Sequence, residues 1–364
     1  MAPVTLTWQS GIASADNPAA MRNTVFAENV AKASGGKITI DVVYADAIIP
    51  ATEADSGFAD GRLDIGQFMP QYQPQKFPLA SLLTDLTILR PGGAFTGELI
   101  ATGALAQSGA ELPELSDEYA AAGMVQIVPI VPGNSTVIVC STPIETISDL
   151  TGKQVRVSGS IHNAQVAALG GTPVSLPYAE VYEGLQRGIV DCAVGSASAI
   201  ASREWVDVAP YVVISEEHSL AGTPEVVAAS ATTWGELPLA AKQLLFDESM
   251  TYVKNEIMID YTTGIVPLFD RAQSIVYIEG AASKAFDAEN EQLASDAADV
   301  SAAAAKLVTA SQSAMDEWTS LVEDLGYSDE GGYHDFSSWF DPDVDLQPFM
   351  DAYFERAMSA SRPE

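Results

Sequence analysis

A strand–helix–strand rhythm occurs twice in this sequence, and no other feature constrains the fold as much. In the first stretch Val4, Leu6 and Trp8 alternate along an opening strand. A helix follows with Met21, Val25, Phe26 and Val30 on one face, closed by Ser-Gly-Gly. Ile38, Ile40, Val42 and Tyr44 then line one side of a second strand, and a helix around TEADSGFADGR leads into LDIGQF. In the second stretch GKQVRVS, HNAQVAALG, TPVSL, YAEVYEGLQRG and IVDCAVGS read as strand, helix, strand, helix and strand. Such alternation predicts an α/β protein with largely parallel sheets. The corners GRLDIGQF and GIVDCAVG share a glycine, two residues, an aspartate and a strand, so Asp64 and Asp191 fill one slot. That correspondence suggests two similar lobes.

At 364 residues the chain exceeds the usual size of a single domain. The expected partition is a first lobe from 1–129 with 211–252, a second from 130–210 with 253–305, and a helical extension at 306–364. Between the lobes GMVQIVPIVPGNSTVIVCS, broken by Pro129, Pro132 and Gly133, reads as a crossing strand. Trp234 to about Thr263 reads as one long helix with Leu237-Pro238 at its start, and an Ala-rich helix runs to about Leu325. The tail, FSSWFDPDVDLQPFMDAYFERAM, ends in an aromatic amphipathic helix expected to pack on a lobe. No stretch approaches the ~20 apolar residues that span a bilayer. The start, MAPVTLTWQS, has no basic-then-apolar leader, which fits a cytoplasmic protein or an exported one whose signal has been removed. Cys140 and Cys192 fit one disulfide or two buried thiols, and neither a zinc site nor a dense disulfide framework.

Forty-nine acidic residues against 17 basic ones give a formal charge of −32. That field repels phosphate backbones and argues against a nucleic-acid partner. The phosphate-loop spacing is missing at Gly152-Lys153, and GGAFTG at 92–97 lacks the dinucleotide spacing. His162, His218 and His334 include no pair at helical spacing, and no nucleophile elbow occurs. DPDVDL resembles a calcium loop but lacks its central glycine and terminal glutamate. The expectation is a non-enzymatic protein with neither metal nor cofactor.

Where cations are scarce, an arginine inside a strand stands out. Alternation in KQVRVSGS puts Val155 and Val157 on one face and Arg156 on the other, beside Ser158. A guanidinium is a rigid fork of donors matched to a carboxylate. That carboxylate is either a ligand's or one of the chain's own acids.

The segment from Asp149 to Ser196 resembles the core motif of the substrate-binding proteins of tripartite ATP-independent periplasmic (TRAP) transporters. Gly152, Lys153, Arg156, Gly171, Pro173, Val174, Glu180, Val181, Tyr182, Leu185, Gln186, Gly188 and Asp191 follow that pattern in order. GGKITIDVVYADAI, ADGRLDIGQF and WGELP carry a looser likeness through most of the first three hundred residues. The resemblance implies a two-lobed periplasmic-binding-protein fold of type II kind, each lobe a mixed sheet flanked by helices, with a long helix spanning both. It implies that Arg156 clamps the carboxylate of a small organic acid and that Tyr178 packs on it. It also implies a periplasmic or extracytoplasmic location and a TRAP membrane permease as partner. Trp8 and Gln9 end the first strand, and Gln67, Phe68 and Met69 end the strand of the first corner. These residues are expected at the cleft, where open α/β sheets bind ligands. Gly195 and Ser196 are expected to form the matching edge of the second lobe.

The chain also departs from its relatives. Some carry a second cation in the crossing strand, where this chain reads NSTVIVC, and many carry Glu-Asn or Glu-Trp after the motif aspartate, where it reads AVGSAS. Both departures favour a monocarboxylate with an apolar or aromatic body. A four-carbon dicarboxylate, a sugar acid, or a sensing role for a receptor are the alternatives.

Overall fold

A computed structural model describes residues 2–131, 133, 135–217 and 220–364. The chain opens with β1 (Val4–Gln9), α1 (Met21–Ala33), β2 (Ile38–Val43), α2 (Ala54–Ala59) and β3 (Ile65–Phe68). It continues through α3 (Pro78–Asp85), α4 (Thr96–Ala110) and α5 (Pro113–Ala121) into β4 (Met124–Val131). The second alternation runs β5 (Thr136–Cys140), β6 (Gln154–Val157), α6 (Ser160–Ala168), β7 (Thr172–Ser175), α7 (Val181–Gln186), β8 (Cys192–Ser196), α8 (Ala197–Ser202) and β9 (Tyr211–Ile214). Next come β10 (Glu225–Ser230), α9 (Ala231–Glu236), α10 (Leu239–Ile259), α11 (Val266–Arg271) and β11 (Ser274–Tyr277). Four helices close the chain: α12 (Gly280–Ala298), α13 (Ala302–Asp324), α14 (Phe336–Trp339) and α15 (Gln347–Tyr353).

β1 pairs with β2, β10 lies between β3 and β4 in a three-stranded sheet, and the remaining strands form a six-stranded sheet ordered β11-β9-β5-β8-β6-β7. The sheets are mixed and not largely parallel, because β10 runs antiparallel to both neighbours and β5 antiparallel to β8 and β9. These are the strands that carry the chain from one lobe to the other, so they enter each sheet from the opposite side. The run 123–141 does cross between sheets, as β4 and β5, although Pro132 and Asn134 lie outside the described residues. A second crossing runs beside it, with the Thr223 amide donating to the Gly133 carbonyl at 3.1 Å. β9 belongs to the six-stranded sheet, between β11 and β5.

The expected long helix is divided at Pro238, which cannot donate a backbone hydrogen bond and starts α10 instead. α10 leans on α1 in the first lobe, then passes through a π-turn at Asp260–Ile265 that presses on α8 in the second. The approach is so close that a Cβ on Gly264 would lie 2.6 Å from the Ser198 amide nitrogen. The Ala-rich stretch is likewise two helices, with Ser301 accepting from the Ala304 amide at 3.0 Å to cap α13.

The two corners are built alike. Asp64 exchanges backbone and side-chain bonds with Thr7, its amide donating to the Thr7 carbonyl (3.1 Å) and its carboxylate accepting from the Thr7 amide (2.8 Å). Asp191 makes the same pair of bonds with Gln154, at 2.8 Å each. Cys140 and Cys192 face each other across β5 and β8 and form a disulfide, the first of the two alternatives left open above.

The C-terminal segment holds both halves. Asp329 accepts from the Phe95 and Thr96 amides at the start of α4 (2.7 and 3.2 Å). Tyr333 accepts from Arg90 at 3.0 Å and stacks on Phe269 of α11 at 5.3 Å. Arg362 grips Asp247 of α10 with two bonds of 2.7 Å. In the DPDVDL stretch Asp341 and Asp345 accept from the amides of Asp343 and Gln347, which makes it a turn and a helix start.

Candidate functional site

Arg156 lies on β6 between β7 and β8, and 1% of its surface is exposed. Its Nε donates to the Leu176 carbonyl (2.9 Å) and one Nη to the Val194 carbonyl (3.1 Å). Among the described residues no carboxylate pairs with it. The other two buried arginines differ. Burial opposes the Arg22 charge, but Glu225 and Glu256 outweigh it and raise the pKa above the ordinary arginine value. Burial likewise opposes Arg90, and Tyr333 and Glu98 outweigh it. For Arg156 burial prevails and its pKa falls, with the Arg203 cation pushing the same way. A buried cation without a protein anion is costly, and a bound anion relieves that cost.

Tyr178 follows β7 and lies over this cation, with the guanidinium carbon 4.8 Å from its ring centre. Trp205 supports the ring from behind at 4.9 Å. Trp205 in turn explains Gly195, where a Cβ would lie 2.8 Å from the indole. Ser196 caps α8 through the Ala199 amide at 3.4 Å.

The first lobe supplies a second wall that the sequence reading missed. Tyr72, in the turn after β3, feels the charges of Arg156, Arg203 and Asp46, and its phenol is raised chiefly by burial. Asp46 sits in the loop after β2, its carboxyl raised by burial against the opposing pull of Arg203. Arg203, just past α8, reaches across the lobes to donate to the Gly11 carbonyl at 3.2 Å. Its guanidinium carbon lies 4.9 Å from the Tyr178 ring centre. Tyr72 and Asp46 follow strand ends, where α/β folds place ligands, and Arg203 ends the short helix α8 that follows β8. Their signal in sequence was that position, and for Arg203 the scarcity of cations.

Several expected cleft residues serve the architecture. Trp8 packs between Phe26 and Tyr252 at 5.2 and 5.3 Å. Phe68 packs against Phe77 and Tyr119 at 4.7 and 6.1 Å. Both belong to the first-lobe core, because alternation turned their rings to the buried face. The Gln9 amide is consumed by the 46–49 loop, donating to the Ile49 carbonyl at 2.7 Å and accepting from the Ile48 and Ile49 amides at 2.9 and 3.0 Å. Gln67 donates to Glu225 at 2.6 Å, and Met69 is half-buried ahead of Pro70.

Ser158 meets the Nδ1 of His162 at 3.1 Å, while Nε2 donates to the Ala221 carbonyl at 2.8 Å in the second crossing. His218 lies outside the described residues. Burial pulls the His162 pKa from 6.5 down to about 4, and the neutral ring accepts from Ser158. The unfolded chain therefore binds more protons between those values, so stability present above pH 6.5 is lost as pH falls toward 4. The loss amounts to about 3 kcal/mol. Urea midpoints at pH 7.5 and 4.5 should separate more for the wild type than for His162→Gln. Equal separations would contradict a neutral buried ring.

Two cavities of about 170 and 210 Å³ lie elsewhere, along Ile88 and α12, and neither is lined by Arg156, Tyr178 or Arg203. Among the described residues no helix is long and apolar enough to cross a membrane.

The model of the family described as bacterial extracellular solute-binding protein, family 7 (DctP), matches residues 10–286. A solute-binding protein of Sulfitobacter sp. strain NAS-14.1 is 30% identical over 128 residues, 35% of this chain and 38% of that protein. A solute-binding protein of Chromohalobacter salexigens is 27% identical over 31% of this chain and 33% of its own length. The chain thus aligns with about a third of the length of these curated relatives. A marine metagenome TRAP solute-binding protein specific for aromatic acids, solved with 3-hydroxybenzoate, superposes with a TM-score of 0.75 at 18% identity, covering 87% of this chain and 99% of that one. DctP7 of Bordetella pertussis, a receptor binding pyroglutamic acid, gives 0.70 at 17% identity over 85% and 99%. A Sulfitobacter sp. NAS-14.1 TRAP protein with bound β-D-galacturonate gives 0.67 at 19% identity over 85% and 100%.

Proposed function

Because the chain belongs to family 7 of the bacterial extracellular solute-binding proteins, we propose that it captures a small organic acid outside the cytoplasm and hands it to a TRAP permease. The observation that carries this reading is Arg156, a buried cation with no carboxylate partner among the described residues and two peptide carbonyls to aim its fork. A ligand carboxylate supplies the missing anion. Arg156 is sealed here, so entry requires the lobes to part, and contacts from both lobes then favour closure.

The Tyr178 ring over Arg156, with Tyr72 within electrostatic reach of both, favours a monocarboxylate with an apolar or aromatic body. The solved relatives hold acids of several shapes, among them pyroglutamate, galacturonate and 3-hydroxybenzoate. The disulfide suits an oxidising, extracytoplasmic compartment. We read the site as a binding site and not an enzyme's, a reading supported by His162, which is neutral and bonded at both ring nitrogens.

A thermal-shift screen over organic acids tests the reading. A true ligand at 100 times its Kd adds about 2.7 kcal/mol, a shift of several degrees. If no acid raises the melting temperature, the reading fails.

A further inference from the structure

We propose that Arg203 and Asp46 form a second polar subsite across the cleft that selects a monocarboxylate bearing a hydroxyl group. The inference rests on the carboxylate-binding reading of Arg156 and adds the class of ligand.

Two guanidiniums share the Tyr178 ring, Arg156 at 4.8 Å and Arg203 at 4.9 Å. Arg156 is fixed by carbonyls of its own lobe. Arg203 instead leaves its lobe and donates to the Gly11 carbonyl at 3.2 Å, and its charge acts on Asp46. Asp46 also accepts from the Gln9 amide at 3.3 Å. A Cβ on Gly11 would stand 3.3 Å from the Asp46 carboxylate, so Gly11 and Asp46 crowd one spot. Tyr72 feels Arg156, Arg203 and Asp46 together. Around the Tyr178 ring there is therefore a cation without a protein anion among the described residues and, beside it, a second cation whose charge acts on an acceptor.

Charge and hydrogen-bonding chemistry decide between ligands. With Asp46 ionised the three groups sum to one positive charge, which a single carboxylate neutralises. Of the other acids acting on these groups, Glu225 pairs with Arg22 at 3.2 Å, and the buried Asp260 carboxyl is raised by desolvation. A second carboxylate at the far end would meet Asp46, and like charges in a closed, water-poor cleft repel strongly. A hydroxyl suits the pair, since it can donate to Asp46 and accept from Arg203. A wholly apolar acid would leave the remaining Arg203 donors and Asp46 lone pairs unmatched once water is expelled.

The test is calorimetry on the whole chain with matched acids. The sets are 3-hydroxybenzoate, benzoate and isophthalate, and galacturonate against its 4-deoxy analogue and galactarate. In at least one set the hydroxy-monocarboxylate should bind about 10- to 100-fold more tightly than its deoxygenated partner and than the diacid. Arg203→Gln and Asp46→Asn should each shrink that preference below about threefold while the deoxygenated acid keeps its affinity. Circular dichroism and melting of both variants establish that they fold; loss of folding in one leaves the other to decide. A diacid that binds best overturns the proposal, as does a preference that survives both substitutions. In those cases carboxylate binding stands and only the subsite falls. Absence of binding by every acid removes the carboxylate reading and the subsite with it.

Discussion

Arg156→Ala should lose at least about 30-fold in affinity for the acid that the wild type binds, with the fold intact. Removing one partner of a buried, hydrogen-bonded charge pair costs about 2–5 kcal/mol or more, which is some 30- to several-thousand-fold in Kd. Arg156→Lys should recover little, because an ammonium keeps the charge but not the fork that the Leu176 and Val194 carbonyls aim. The ligand-free protein should respond differently. Alanine strands two carbonyls but also removes a buried cation without a protein anion, and these effects oppose each other. The melting temperature without ligand should thus move little, while the ligand-induced shift disappears. A variant that melts far lower yet binds the acid normally would make Arg156 a structural residue. Arg22→Ala is the useful contrast, since it strands Glu225 and Glu256 inside the first lobe and should damage stability first.

The second large effect concerns Cys140 and Cys192. They are fully buried, lie opposite each other on neighbouring strands and close a loop of 52 residues. Loop-closure entropy for that length corresponds to about 4 kcal/mol of restraint on the unfolded chain. The double variant Cys140→Ala/Cys192→Ala should therefore unfold at a clearly lower urea concentration than the oxidised protein. Because the sulfurs are sealed from solvent, mild reductant should act only after unfolding. The loop contains β6, with Arg156, and β7, with β8 closing it, so the bond braces the sheet that carries the cation. A urea midpoint unchanged in the double variant would show that the disulfide adds nothing to the folded protein.

Periodicity made the elements legible, because a strand or helix buries one face and writes its period into the chain. It was less informative about which face met what. Trp8 and Phe68 end strands at the cleft side of the first lobe, yet one-residue alternation sends their rings to the core, where Phe26, Tyr252, Phe77 and Tyr119 receive them. Helix continuity was also overestimated. Pro238 and Ser301 each begin a new helix, a local backbone effect that apolar patterning does not record.

From the sequence alone came the α/β alternation, the paired corners at Asp64 and Asp191, the acidic surface, and Arg156 as the cation to watch. All of these depend on neighbours close in the chain or on composition. Tertiary structure decided that the cysteines are bonded and that β9 pairs within the six-stranded sheet. It also put Arg203 on the same Tyr178 ring as Arg156, within the electrostatic reach of Tyr72 and Asp46. Those residues come from separate loops, and long-range closure of two lobes leaves no short-range mark in the order of amino acids.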